Sequence, residues 1–167
     1  MTGDAIPVEL VGVRIELPTN QPIVLLREVG GPRFLPIWIG AGEATAIAFA
    51  LEGVEPQRPL THDLLQLCVE GLGATVSRVV ITQLRDGIYY ADLVFVRESE
   101  EEVVVSARPS DAIALAARSE SPIFVDPSVL DEAGVEIQDE DEDAEAEVER
   151  FRDFLDDITP EDFGTLT

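Results

Sequence analysis

Apolar and polar positions along this chain fall into short alternating runs separated by turn residues, then into three longer helical stretches. Val8 to Leu17 alternates, with Val11, Val13, Ile15 and Leu17 on one side, which predicts a strand with that face buried. Pro18 to Pro22 reads as a turn, Ile23 to Arg27 as a second strand, Gly30-Gly31-Pro32 as another turn and Arg33 to Ile39 as a third strand. The simplest arrangement of this opening is an antiparallel meander. A helix follows from Gly40-Ala41-Gly42-Glu43 to about Leu51. Its body has almost no polar face, which marks a buried or interfacial helix. Gly53 and Pro56 end it.

A second helix is expected from Thr61, as N-cap, to Leu72, with Leu64, Leu65, Cys68 and Leu72 as its buried stripe. Strands at Thr75 to Leu84 and Ile88 to Arg97 flank Arg85-Asp86-Gly87, a hairpin signal. Glu102 to Ala107 reads as a further strand. Ser110 opens an apolar helix that ends near Ser119. Ile123 to Val125 is a short strand, and Pro127 to Ala133 a short helix closed by Gly134. These elements predict a single α+β domain over residues 1–135, with a mixed, largely antiparallel sheet and three main helices. Residues 136–147 read as an acidic linker. Residues 148–167 read as a short amphipathic helix and tail built on Val148, Phe151, Phe154, Leu155 and Ile158. The tail is a candidate contact for a protein partner, and the apolar first helix suggests a homodimer.

Charge sharpens this division. Residues 1–135 hold 20 Asp/Glu against 9 Arg, and residues 136–167 hold 14 against 2, so half of the net charge of −23 lies in the last 32 residues. All 11 basic residues are arginine, whose planar fork suits carboxylate or phosphate. Without lysine there is no G-x-x-x-x-G-K phosphate loop, and neither a dinucleotide fingerprint nor a G-x-S-x-G elbow is present. One cysteine and one histidine cannot build a structural zinc site. The single Cys68 is expected in the core of a protein in a reducing compartment. No basic, apolar leader and no run of about 18 apolar residues is visible. No membrane contact and a cytoplasmic location are therefore expected.

What remains for chemistry is acids, arginines, hydroxyls and one histidine at predicted helix starts. Glu43, Asp63 and Asp111 stand in the first turns of three helices, where a carboxylate complements the helix dipole. If those starts converge, the same three carboxylates form a metal site for Mg2+ or Mn2+, which would activate water for phosphodiester hydrolysis. His62 stands beside Asp63 and is a candidate general base, biased toward neutral by the helix N-terminus. Arg108 is a phosphate clamp or a staple between elements. Thr61, Asp63 and Ser110 are equally explained as caps.

Several blocks resemble the bifunctional nuclease domain family. They are Pro36-Ile37-Trp38-Ile39-Gly40 with Glu43-Ala44, Arg58-Pro59-Leu60-Thr61-His62-Asp63-Leu64-Leu65, Gly71-Leu72-Gly73-Ala74, Gly87-Ile88-Tyr89-Tyr90-Ala91 and Arg108-Pro109-Ser110-Asp111-Ala112-Ile113-Ala114-Leu115. The resemblance covers roughly residues 8–134 and implies an α+β domain with DNase and RNase activity. Three positions depart from the family pattern: Ser106, where an aspartate is more usual, and Ile88-Tyr89, where Thr-Phe is. The expected function is thus a nuclease of low sequence specificity acting on DNA or RNA, assisted by Mg2+ or Mn2+. His62, Asp63 and Asp111 would be its catalytic groups, and Arg108, Ser110 and Arg58 its substrate contacts. The competing expectation is a non-enzymatic binding or regulatory module, favoured by the scarcity of basic residues, since phosphate contacts carry most nucleic-acid affinity.

Overall fold

Tight turns set the first three strands. In the computed structural model, which describes residues 4–137, β1 (Ile6–Glu16), β2 (Gln21–Glu28) and β3 (Arg33–Trp38) form the expected antiparallel meander. The helices α1 (Ala41–Glu52) and α2 (Thr61–Gly71) follow, then β4 (Ala74–Arg85), β5 (Ile88–Arg97) and β6 (Glu102–Ala107). The Asp86-Gly87 turn joining β4 to β5 has positive φ at both residues (53° and 76°), the mirror-image turn that matches strand twist. The chain continues through α3 (Pro109–Ser119), β7 (Ile123–Val125), α4 (Pro127–Ala133) and β8 (Val135–Glu136).

All eight strands join one mixed sheet in the order β6-β5-β4-β7-β1-β2-β3-β8. Three residues of β7 hold it together, parallel to β4 on one side and antiparallel to β1 on the other. The segment α3 carries the chain from the β6 edge across β5 and β4 to that central position. It is covered by the sheet below and by α1 and α2 above, so Ala112, Ile113, Ala114, Leu115 and Ala116 are all essentially inaccessible. Its all-apolar middle is the sequence requirement of a helix with no solvent face. Leu26, Leu35, Ile47, Val79, Ile81, Val125, Val129 and Leu130 complete the same core.

Two expected faces differ, one in part and one throughout. On β1 Val13 packs against the core as expected, and Val8 is buried, whereas Val11, Ile15 and Leu17 are exposed (42%, 56% and 76%). A β-bulge accounts for Val11: Leu10 pairs with Leu26 and Gly12 with Leu25, leaving Val11 as an extra residue, while Leu17 lies past the end of the strand. On α2 the stripe of Leu64, Leu65, Cys68 and Leu72 faces outward. The inward positions are His62, Asp63, Gln66 and Val69. Charged partners on α3, described below, turn this helix so that its polar first turn faces in. The expectation of a buried Cys68 is corrected with it.

Two helix starts also move. The N-cap of α2 is Leu60, whose backbone N–H donates to Asp63 Oδ2 at 2.9 Å, so Thr61 already lies inside the helix. The N-cap of α3 is Arg108, with Pro109 at the first helical position. Ser110 is therefore not the cap. The acidic linker and the amphipathic C-terminal helix expected from the sequence lie outside the described residues.

Candidate functional site

The first turns of α1, α2 and α3 meet because α1 and α2 both lie against α3. Their polar side chains form one continuous chain of contacts. Glu43 of α1 accepts from Arg108 Nη2 at 3.0 Å, and Arg108 Nε donates to Asp111 Oδ2 at 2.7 Å. The other carboxylate oxygen, Asp111 Oδ1, lies 3.0 Å from His62 Nε2 on α2. Burial pushes the Asp111 carboxyl up, but hydrogen bonds from Arg108 and His62 outweigh it and hold the carboxyl below its usual range. An ionised Asp111 only accepts, so the hydrogen of the contact belongs to His62 Nε2. The Arg108 guanidinium is raised by Asp111 first and Glu43 second. Its side chain is 65% exposed, while that of His62 is only 12% exposed. The histidine is thus more enclosed than a position in a surface turn implies.

Asp63 belongs to a second group. Its Oδ1 accepts from Arg118 Nε at 2.5 Å and its Oδ2 from the Leu60 amide. Burial again works upward on the Asp63 carboxyl, and Arg118 and Leu60 more than reverse it. Arg118 also donates to the Ala46 and Ala114 carbonyl oxygens, both at 3.0 Å, and its side chain is 8% exposed. One guanidinium therefore pins α1, α2 and α3 together. Arg58 lies exposed in the loop before α2 and makes no ion pair among the described residues.

The predicted site residues are thus divided. Glu43, Arg108, Asp111 and His62 are brought together, Asp63 is held by Arg118, and Arg58 stands apart. Arg118 was not singled out from the sequence. Its signal there is a lone charge in the last turn of an otherwise apolar helix.

The fit of a divalent cation can be tested on the donors. Both oxygens of Asp63 and both of Asp111 already accept hydrogen bonds, and one of Glu43 does. Among the described residues no group of three or more His, Cys, Asp or Glu side chains is placed to hold a metal ion. The carboxylates as arranged are ligands of arginine and do not fit a divalent ion.

Beside this corner lies an open groove of about 390 Å³ between the end of β3, the β4–β5 turn and the first turn of α3. Arg108 and Ser110 line it, with Trp38, Ile88 and Tyr89. Burial, with Glu132 nearby, raises the Tyr89 hydroxyl, so it remains a donor through neutral pH. No helix among the described residues is long and apolar enough to cross a membrane.

Residues 24–138 match the family described as bifunctional nuclease domain. An uncharacterized protein of Mycobacterium tuberculosis is 51% identical over 162 residues, covering 93% of this chain and 96% of its own length. Bifunctional nuclease 1 of Oryza sativa subsp. indica is 30% identical over 120 residues, 71% of this chain and 36% of the rice protein. Bifunctional nuclease 2 of Arabidopsis thaliana is 30% identical over 128 residues, 74% of this chain and 39% of the plant protein.

Proposed function

From the premise that this chain belongs to the bifunctional nuclease domain family, we propose that it is a nuclease of low sequence specificity acting on DNA or RNA. The observation that carries this reading is the continuous Glu43–Arg108–Asp111–His62 chain beside an open groove. An exposed guanidinium, an ionised carboxylate and an imidazole in one chain of contacts supply the groups that a phosphate clamp joined to an acid–base pair requires.

Each residue has a role that follows from its contacts. Arg108 is the group that meets phosphate. Its Nε and Nη2 are used within the protein, and Nη1 is left to donate outward. Asp111 holds His62 with the hydrogen on Nε2. Nδ1, which has no partner among the described residues, is then the atom that takes a proton from an attacking water. Water oxygen bonds to phosphorus, the phosphodiester P–O bond breaks, and the departing oxygen is protonated from solvent. Glu43 keeps Arg108 in place. Asp63 acts indirectly, by fixing the α2 turn that carries His62. No step is routed through Mg2+ or Mn2+, because the carboxylates do not fit one as arranged.

The binding-module reading is favoured by one specific observation: every acid at the three helix starts is already paired with an arginine or an amide. The two readings separate in one experiment. Purified protein is incubated with labelled single-stranded DNA and RNA, with EDTA, with Mg2+ and with Mn2+, beside His62→Gln and Asp111→Asn. Cleavage that persists in EDTA and falls at least tenfold in both variants is the expected result. Cleavage that needs the metal would place an ion in the site through movement of Arg108. No cleavage in any condition would leave the binding module.

A further inference from the structure

The groove beside the corner has features that catalysis by His62 does not use. None of its lining residues is acidic, in a chain with 34 acids, and its one charge is Arg108. Its floor is the start of α3, an 11-residue helix whose N-cap residue, Arg108, offers no side-chain acceptor to the first amides. Pro109 has no N–H, and the first amide bonded within the helix is that of Ala112, to the Arg108 carbonyl. The amides of Ser110 and Asp111 thus have no partner among the described residues, at the positive end of the dipole. Ser110 adds an independent sign. It is only 7% exposed, it lines the groove, and its hydroxyl makes no hydrogen bond to a described residue. No side-chain oxygen among the described residues is both buried and without a partner, so this hydroxyl opens onto the groove, where it is free to bond a ligand. Ser110, with its amide and hydroxyl, and the Arg108 guanidinium line one space and supply donors for a phosphate.

The opposite wall is aromatic and aliphatic. Trp38 is 51% exposed although it is large and apolar, and its indole N–H donates to Glu16 Oε2 at 2.7 Å, which fixes the ring. Ile88, 58% exposed, and Tyr89 face the same space from the β4–β5 turn. Flat rings held at the mouth of a phosphate site are a stacking surface for a base. A volume of about 390 Å³ is at the small end for ligand sites. A base inside a duplex presents only its edges, since both faces are stacked, and cannot enter.

We propose that this groove takes one unpaired nucleotide, its phosphate on the Ser110 turn and Arg108 and its base against Trp38 and Tyr89, which makes the substrate class single-stranded nucleic acid. The proposal rests on the nuclease reading for its biological substrate, but its test reads binding and not cleavage. Trp38 is the only tryptophan in the chain, so intrinsic fluorescence reports this groove directly. The full chain is titrated with an eight-nucleotide oligothymidylate, with the same strand annealed to its complement, and with thymidine 5′-monophosphate and inorganic phosphate as competitors. Strand integrity is checked on gels. Saturable quenching by the single strand is expected, with at least tenfold weaker quenching by the duplex and stronger competition from the nucleotide than from phosphate. Ser110→Ala should weaken the single strand at least threefold. Ile88→Asp, at an exposed position outside the core, places a carboxylate in the groove and should abolish quenching while leaving the melting curve unchanged. Equal response to strand and duplex, or full quenching in Ile88→Asp, overturns the proposal. Cleavage that survives Ile88→Asp would remove the groove and keep the nuclease. Quenching as expected without any cleavage would keep the groove and remove the nuclease.

Discussion

Replacing Arg118 by Met isolates what holds the three helix starts together. Methionine keeps most of the stem that packs between α1, α2 and α3 and removes the guanidinium. Lost are a charge-assisted bond to Asp63 and bonds to the Ala46 and Ala114 carbonyls. A hydrogen bond to a charged group contributes about 1.5–3 kcal/mol and a neutral one about 0.5–1.5. The two carbonyls lie in helices and retain their ladder acceptance, so they weigh at the low end. Asp63 is 26% exposed and regains some water, which keeps the loss below the roughly 3–5 kcal/mol of a broken, fully buried pair. The expected sum is about 2–3 kcal/mol, a fall in Tm of about 5–10 °C for a chain of this size. Thermal unfolding followed by circular dichroism reads it, and a cycle with Asp63→Asn should give a coupling above about 1 kcal/mol. The pH dependence has a definite sign. The Asp63 carboxyl is lowered in the folded state, so its stabilisation is fully present above its unfolded value of about 3.9 and disappears as pH falls through the folded value. The gap between wild type and Arg118→Met should therefore be constant from pH 5 to 7 and narrow below about pH 4. A Tm change under 2 °C, or a gap as wide at pH 3 as at pH 7, would refute the argument. Cleavage by Arg118→Met, assayed well below its Tm, should stay within threefold of wild type. Greater loss in folded protein would move Asp63 into the catalytic group.

Asp111→Asn should cost about 1–2 kcal/mol by weakening the bonds from Arg108 and His62, and it should lower cleavage at least tenfold at temperatures where it is fully folded; activity that merely tracks the melting curve would make Asp111 structural. Cys68 is exposed, so in the native protein it should react with a thiol reagent as fast as in denaturant, and slow native labelling would contradict the outward face of α2. Leu64 and Leu67 are 54% and 51% exposed on that face; if they meet a second copy in the proposed homodimer, Leu64→Glu with Leu67→Glu should convert it to monomer by light scattering, and an unchanged mass would exclude this face. Removing residues 136–167 takes the formal charge from −23 to −11, so oligonucleotide binding should tighten at about 10 mM salt and less so at 150 mM, where screening is shorter; equal binding by both forms would leave the tail no electrostatic role.

Local chemistry was readable in the order of residues. Asp86-Gly87 forces a tight hairpin wherever it stands, Pro109 starts a helix within one residue of where it is met, and the unbroken apolar run from Ala112 to Ala116 demands burial on all sides. These signals act over a few bonds, so the elements, the antiparallel meander and the α+β class followed from them. Which face each element turns inward did not. The bulge that leaves Val11 unpaired depends on the register of β2, and three residues of β7 join β4 and β1 from distant parts of the chain. The same limit governed the site. First-turn acids complement a helix dipole in every protein, so Glu43, Asp63 and Asp111 looked equivalent in sequence. Packing of α1 and α2 across α3 separated them, giving Asp111 to Arg108 and His62 and giving Asp63 to Arg118. Those pairs in turn rotated α2, putting His62 inside and its leucines in water, because half-buried ionic groups that find partners outweigh a leucine stripe with nothing to cover it. A pairing between side chains 49 and 55 residues apart is a property of the assembled helices, and only the tertiary structure decides it.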